Sequence, residues 1–395
     1  MNDFEIIKDY LASSKEDAWI IPDYENRNPM TERFLGKAML TRKLFLVFPR
    51  IGKPYLICHT IDTVFLDKPA IWEKFDLLVY KTWKEMLNLE KKAFASYKKV
   101  IMDISENGLL PRISLADYGS VSFIASLGIA VSSSGDLLQR FTALYDDNAY
   151  AGQLVACKKA LQIKDEAFQK IGELVKANGE TDEYTIQQFI CRRFHEEKMT
   201  YDDPAIVAVN KNASNPHYAP DASVHAPIRR GDVVLIDMWA KMDRADGVYA
   251  DITWMGYVGE AVPEKVKSRF AVLRNAVDSG VEFLARNLPL RKVSGYEVDD
   301  VVSSYIVKAG YGEYIAHRTG HNIAIDVSPH GPGVNIDDME SHDTREIIDG
   351  ITFSLEPGIY APDFGMRSET DCHIKDRKPI LVGGRQEEVI AILKD

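Results

Sequence analysis

Four carboxylates and two histidines stand where a metal centre would need them. Asp237 interrupts the apolar run Leu235-Ile236-Asp237-Met238, and Asp251 follows fourteen positions later. Glu356 lies in Phe353-Ser354-Leu355-Glu356-Pro357, and Glu369 follows thirteen positions later. Each pair sits in two β-rich runs separated by turn residues. With a turn centred on Arg244, Asp237 would face Asp251; with one centred on Pro362-Asp363, Glu356 would face Glu369. Opposed like charges destabilise a sheet. Two such pairs in apolar strands need a cation or a shared proton to persist. For either hairpin alone, outward-pointing solvated acids are the simpler reading; finding a pair in both makes it the weaker one. His317 and His321, four apart, add an imidazole between the last helix and the second pair. Four carboxylates and a neutral imidazole balance the charge of two divalent cations. A mostly oxygen donor set suits Mn²⁺ first, with Co²⁺, Zn²⁺ or Fe²⁺ admitted by the nitrogen.

The elements that must position these groups are legible from periodicity. Short apolar runs at 18–21, 44–48, 55–58, 77–80 and 100–104 alternate with polar or helix-forming stretches, which predicts an α/β domain over 1–148. From 149 the pattern changes to long helices. Leu154, Cys157, Leu161, Phe168, Ile171 and Val175 keep helical spacing until Asn178-Gly179, and Ile186, Phe189, Ile190 and Phe194 form a second apolar face. Predicted strands at 232–242 and 247–258 follow. A helix opening at Pro263 and another carrying Val298, Val301 and Tyr305 then lead to strands at 352–360 and 365–375. The region 149–395 thus reads as two copies of helix, helix, hairpin.

Composition bounds the partners. The chain has 395 residues, 46% hydrophobic and 27% charged, and a net charge of −11. An acidic balance argues against general nucleic-acid or anionic-membrane binding. No stretch is apolar and long enough to predict a membrane span, and the first residues carry no signal-peptide core. Cys58, Cys157, Cys191 and Cys372 are widely spaced, which fits a reduced cytoplasm and offers no thiolate metal site.

These residues resemble a known family. Asp237, then Asp251-Ile252-Thr253, then His317 and His321, then Ser354-Leu355-Glu356-Pro357-Gly358-Ile359-Tyr360, then Arg367-Ser368-Glu369 are similar to the pita-bread metallopeptidases, and most to their Xaa-Pro aminopeptidase and prolidase branch. The resemblance covers the chain from about residue 150 onward, with a weaker likeness of the first part to a creatinase-type N-terminal domain. It implies an α/β N-terminal domain followed by an α+β pita-bread domain with a pseudo-twofold helix-helix-hairpin repeat. It implies that Asp237 and Asp251 bind one metal and that Asp251, His321, Glu356 and Glu369 bind the other, with Asp251 and Glu369 bridging. His217, His317 and His330 fall on active-site histidines, and Arg367 would pair with an acid of the site. A homodimer acting on peptides with proline second is implied too.

Some positions depart from the family pattern. The two aspartates are three residues further apart than usual. Trp254 stands where an arginine normally follows Asp-Ile-Thr, and Asn322 and Ala324 stand where the family usually has glycines. Ser328 occupies the usual place of the second catalytic histidine; a two-residue insertion, Ser328-Pro329, would restore it as His330. His59, His195, His225, His342 and His373 are read as ordinary surface or core histidines. The resemblance implies peptide hydrolysis by metal-activated water, with Glu356 as general base and His217 and His330 donating to the oxyanion or the leaving nitrogen. The alternatives are a creatinase-like enzyme and a non-catalytic scaffold of the same fold; the complete ligand set speaks against both.

Overall fold

The computed structural model describes residues 2–325 and 328–394 and divides into two compact units, 1–141 and 142–395. The predicted boundary at 148 falls a few residues later. Residues ahead of it already belong to the second unit: the Tyr145 N–H donates to Gly350 O at 2.8 Å and the Tyr145 hydroxyl to Ile323 O at 2.6 Å.

The first unit is a six-stranded sheet built from β1 (Ala18–Tyr24), β2 (Lys43–Pro49), β3 (Tyr55–His59), β4 (Asp76–Tyr80), β5 (Lys99–Met102) and β6 (Ala130–Ser133), in the order β4-β3-β2-β1-β5-β6. The apolar runs are continuous because both faces are covered. Trp19, Ile21, Leu46 and Phe48 pack on one side, and Ala18, Ile20, Phe45 and Val47 on the other. The sixth strand escaped the sequence reading because it is short and half serine.

The second unit starts with the helix Asp147–Asn178. Asp146 caps its first turn through Ala149 N–H at 2.8 Å, and Gly179, at φ +86°, ends it. Its buried stripe runs through Ala156, Cys157, Ala160, Ile163, Ala167 and Phe168, whereas Leu154 is exposed. Small residues let the sheet approach closely, which a leucine stripe would not. The helix Glu183–Glu196 packs beside it. Short strands β7 (Glu180–Asp182), β8 (Met199–Thr200), β9 (Ile206–Val209) and β10 (Pro227–Arg229) precede the first hairpin, β11 (Val233–Met242) and β12 (Tyr249–Tyr257). Alternation sorts β11: Val234, Ile236, Met238 and Ala240 face the two helices, leaving Asp237 and Trp239 on the other side.

The second pair of helices is Glu264–Asn287 and Gly295–Lys308. The latter buries Val298, Val302 and Ile306, so Tyr305 points to solvent rather than inward. The predicted second hairpin is broken. Its strands are β13 (Thr352–Leu355), β14 (Gly358–Tyr360), β15 (Gly365–Arg367) and β16 (Thr370–Lys375), followed by β17 (Lys378–Leu381) and β18 (Ile390–Ala391). Both breaks fall at the acids, at Glu356-Pro357 and Ser368-Glu369. Pro357 has no N–H to give to a ladder, and Glu369 instead bridges to Thr253 of β12, its N–H donating to Thr253 O at 3.2 Å. That bridge joins the two hairpins. Among the described residues no helix is long and apolar enough to cross a membrane.

Candidate metal centre

The register of the first hairpin differs from the predicted one. Asp237 pairs with Thr253 and Asp251 with Trp239, so the turn centres one residue beyond Arg244. The two aspartates share a face but sit diagonally, which relieves the direct opposition of like charges and brings the Thr253 hydroxyl between acids. Thr253 Oγ1 lies 3.0 Å from Asp237 Oδ1 and 2.7 Å from Glu369 Oε2, and accepts Arg367 Nε–H at 3.0 Å. Arg367 also forms an ion pair with Asp237 and donates to the Tyr360 hydroxyl at 3.2 Å. In the second hairpin Glu356 and Glu369 flank the strand breaks in the predicted register, since Leu355 pairs with Thr370 and Gly358 with Arg367.

His321 decides how the cluster can be used. Its Nδ1–H donates to Asn322 O at 3.1 Å, so its Nε2 carries a lone pair. That lone pair faces Asp251 Oδ2 at 3.5 Å and Glu356 Oε1 at 3.4 Å. Burial and the neighbouring His330 hold the ring well below the usual histidine range, so it is neutral. The carboxylates move the other way. Burial, then the charge of Glu369 and Asp237, raises Asp251 well above the ordinary range. Burial and the charge of Glu356 do the same to Glu369. Burial pushes Glu356 up to about 7 although Arg367 opposes it. A lone pair facing several buried oxygens, with Arg367 as the paired cation beside them, is a donor set short of positive charge. Asp251, His321 and Glu369 offer ligand atoms all within 4.8 Å of one another, so these residues fit a bound cation.

The cluster opens into a cavity of about 430 Å³. His217, His317, His330 and Ser328 line it beside the four acids, so every residue singled out from the sequence for this site borders one space. His317 donates Nδ1–H to Arg318 O at 2.7 Å and accepts the Tyr360 O–H at Nε2 at 2.5 Å. Burial and the Arg367 charge lower it to about 4. The His330 ring packs against His321 at a 45° tilt, with centroids 3.9 Å apart, while the Ser328 hydroxyl accepts the His330 N–H at 3.3 Å. Trp254 lies on the opposite face of β12, its ring beneath Lys164 Nζ at 3.6 Å, so it takes no part in the cavity. His373, with no role expected, is buried between Tyr145 and Tyr150 and bonded to the Thr352 hydroxyl.

Residues 156–376 match the profile of metallopeptidase family M24. The chain belongs to that family. An Xaa-Pro dipeptidase of Lactobacillus delbrueckii subsp. lactis is 29% identical over 245 residues, which are 61% of this chain and 61% of that enzyme. The match therefore spans about three fifths of that M24 relative's length. The prolidase of Pyrococcus horikoshii superposes with a TM-score of 0.58 at 18% identity, covering 98% of this chain and 99% of that one. An X-prolyl aminopeptidase from Caenorhabditis elegans, described as a cytosolic enzyme with a di-nuclear active site, superposes at 0.60 with 17% identity, over 96% of this chain and 61% of that one. At these identities the likeness establishes the mixed α/β fold of the M24 chain.

Several residues of the site were not singled out from the sequence. Thr253 and Tyr360 stand in the family strings but were given no role. Asp371 accepts the Asp251 N–H at 3.1 Å and is pushed up to about 8 by burial. Alternation from Glu369 would have found it, since residues two apart on a strand share a face. Asp202 accepts the Trp239 indole N–H at 2.6 Å at the cavity edge, and nothing in its local sequence marks it.

Proposed function

We propose that the chain is a metallo-exopeptidase that removes the N-terminal residue from Xaa-Pro peptides or splits Xaa-Pro dipeptides. The observation that carries this is the His321 Nε2 lone pair facing buried acid oxygens in an open cavity. The names of the relatives support the substrate class. Asp237 and Asp251 would hold one divalent cation; Asp251, His321, Glu356 and Glu369 would hold the second, with Asp251 and Glu369 shared. When bound, the pair would lower the pKa of a shared water and polarise the scissile carbonyl. Mn²⁺ suits the oxygen-rich set best.

The chain's own groups do the rest. Glu356, whose carboxyl lies near 7, takes the proton of the attacking water. His330 and His217 donate to the developing oxyanion and the leaving proline nitrogen. His317 is held neutral, with its Nε2 turned to Tyr360. Arg367 and Thr253 orient Asp237 and Glu369. The order helix, helix, hairpin, twice over, supports a pita-bread repeat within the unit 142–395 behind a creatinase-type domain over 1–141. Four free, buried cysteines support a reducing cytoplasm, and the family resemblance supports a homodimer.

The test is to load the purified protein with Mn²⁺, count bound metal, and assay an Xaa-Pro dipeptide beside an Xaa-Pro-Xaa tripeptide. Close to two metals per chain and release of the first residue from at least one peptide are expected. Less than one bound metal, with both peptides intact, would overturn the assignment.

A further inference from the structure

His217 is exposed, on a loop, and its imidazole makes no hydrogen bond among the described residues; only its N–H is held, by Asn215 Oδ1 at 3.1 Å. A loop side chain that must meet a reacting group within tenths of an ångström needs its backbone fixed from elsewhere. Glu183 is where that fixing converges. It opens the helix Glu183–Glu196, is fully buried, and has no cationic partner among the described residues. Its Oε1 accepts the Val209 N–H at 2.8 Å and the Asn212 Nδ2–H at 3.0 Å. Its Oε2 accepts the Tyr218 O–H at 2.5 Å and the Ala226 N–H at 2.6 Å. The Glu183 N–H returns a bond to Ala226 O at 3.1 Å. Four donors fill the four acceptor sites of a carboxylate. They come from the first residue of the segment 209–226, from its last, and from two between, one of which is the neighbour of His217 in sequence.

We infer that Glu183 is a positioning residue for His217, acting through Tyr218 and the ends of the 209–226 segment. Its charge is what makes this hold: hydrogen bonds to an ionised acceptor are shorter and stronger than neutral ones, and the helix N-terminus favours the negative charge. The catalytic part of this inference rests on the proposed role of His217; the anchoring does not.

The test uses Tyr218→Phe, which removes one hydroxyl and keeps the ring. Glu183→Gln, which replaces two acceptor oxygens by one, is the second variant. With alanyl-proline as substrate and Mn²⁺ loaded, Tyr218→Phe should lower kcat about tenfold, the size of one hydrogen bond to a charged group. KM and metal content should hardly move. In a His217→Ala background the same change should have less than about a twofold further effect, because coupled residues are not additive. Amide hydrogen exchange across 210–226 supplies the readout independent of activity. Exchange at residues 215–218 should quicken in Tyr218→Phe, and more in Glu183→Gln. Unchanged exchange in both variants, or a full tenfold loss that multiplies onto His217→Ala, would overturn the inference. Wild-type kcat in His217→Ala would instead overturn the role of the histidine, while exchange still decides the anchoring.

Discussion

The two units bury carboxylates in opposite ways. In the first, Asp103 is wholly inaccessible and accepts hydrogen bonds from Trp19 Nε1 at 2.9 Å, Asn28 Nδ2 at 2.7 Å and the Ser134 hydroxyl. Neutral donors from three separated segments satisfy it. In the second, Asp251 is nearly as buried, but what faces its carboxylate is a histidine lone pair and the charges of Glu369 and Asp237. A buried polar group costs stability unless its bonds are made. Asp103 has them, and its role is to tie strands and loops together. Among the described residues the Asp251 carboxylate accepts no such bond and Glu369 accepts one only from the Thr253 hydroxyl, and that deficit is what a cation would fill. Within the second unit, Glu183 belongs with Asp103: its donors all come from the chain.

The contrast is open to direct attack. The largest expected effect is at the deficient acids. Asp251→Asn or Glu369→Gln should abolish peptidase activity and metal binding together, and the metal-free protein should unfold at the same temperature or higher, since like charges are removed. Asp103→Ala should do the reverse, keeping its metal while losing about 2–4 kcal/mol of stability as three buried donors lose their acceptor. Metal analysis and thermal unfolding of the three variants decide it. Retention of both metals by Asp251→Asn would erase the distinction.

Next in size comes the insertion beside His321. His330→Ala should lower kcat about a hundredfold with metal content unchanged, the range for losing one acid–base or oxyanion group. Ser328→Ala should change little, because its hydroxyl serves the backbone of the same turn. A crippled Ser328→Ala beside an active His330→Ala would reverse the roles.

The smallest effect concerns a histidine that is neutral for packing alone. Burial lowers His373 to about 4. Between that value and the ordinary 6.5 the unfolded chain takes up a proton that the folded chain refuses, so stability falls as pH drops through this window. Above it the stability is fully present. His373→Gln should remove about 2 kcal/mol of the loss between pH 6.5 and pH 4.5, measured by urea unfolding across that range. An unchanged slope would show that His373 stays accessible to protons.

The reach of sequence reasoning can be seen residue by residue. Strand alternation and the helix stop at Gly179 were legible because local periodicity and a left-handed cap are properties of short segments. The second hairpin's register was legible because Pro362-Asp363 centres it. The first hairpin's register lies one residue from the one the sequence predicts, because the longer tip at 243–248 admits more than one closure and nothing local chooses. The inward faces of two helices were assigned partly to Leu154 and Tyr305, whereas Ala160 and Ile306 are buried. On the first of these helices closeness to the sheet requires the small residues Ala156, Ala160 and Ala167.

The sequence by itself determined which groups are present: four acids in apolar strands, a histidine four beyond another, and the strings that resemble M24 enzymes. It determined the alternation that puts Asp237 on the face away from the helices. Only tertiary structure decided that Glu369 leaves its own ladder to bridge Thr253, that His321 turns its lone pair rather than its proton toward the acids, and that Glu183 ties together both ends of a loop. Each depends on a contact between segments far apart in the chain, where spacing carries no information and three-dimensional packing selects one partner among many.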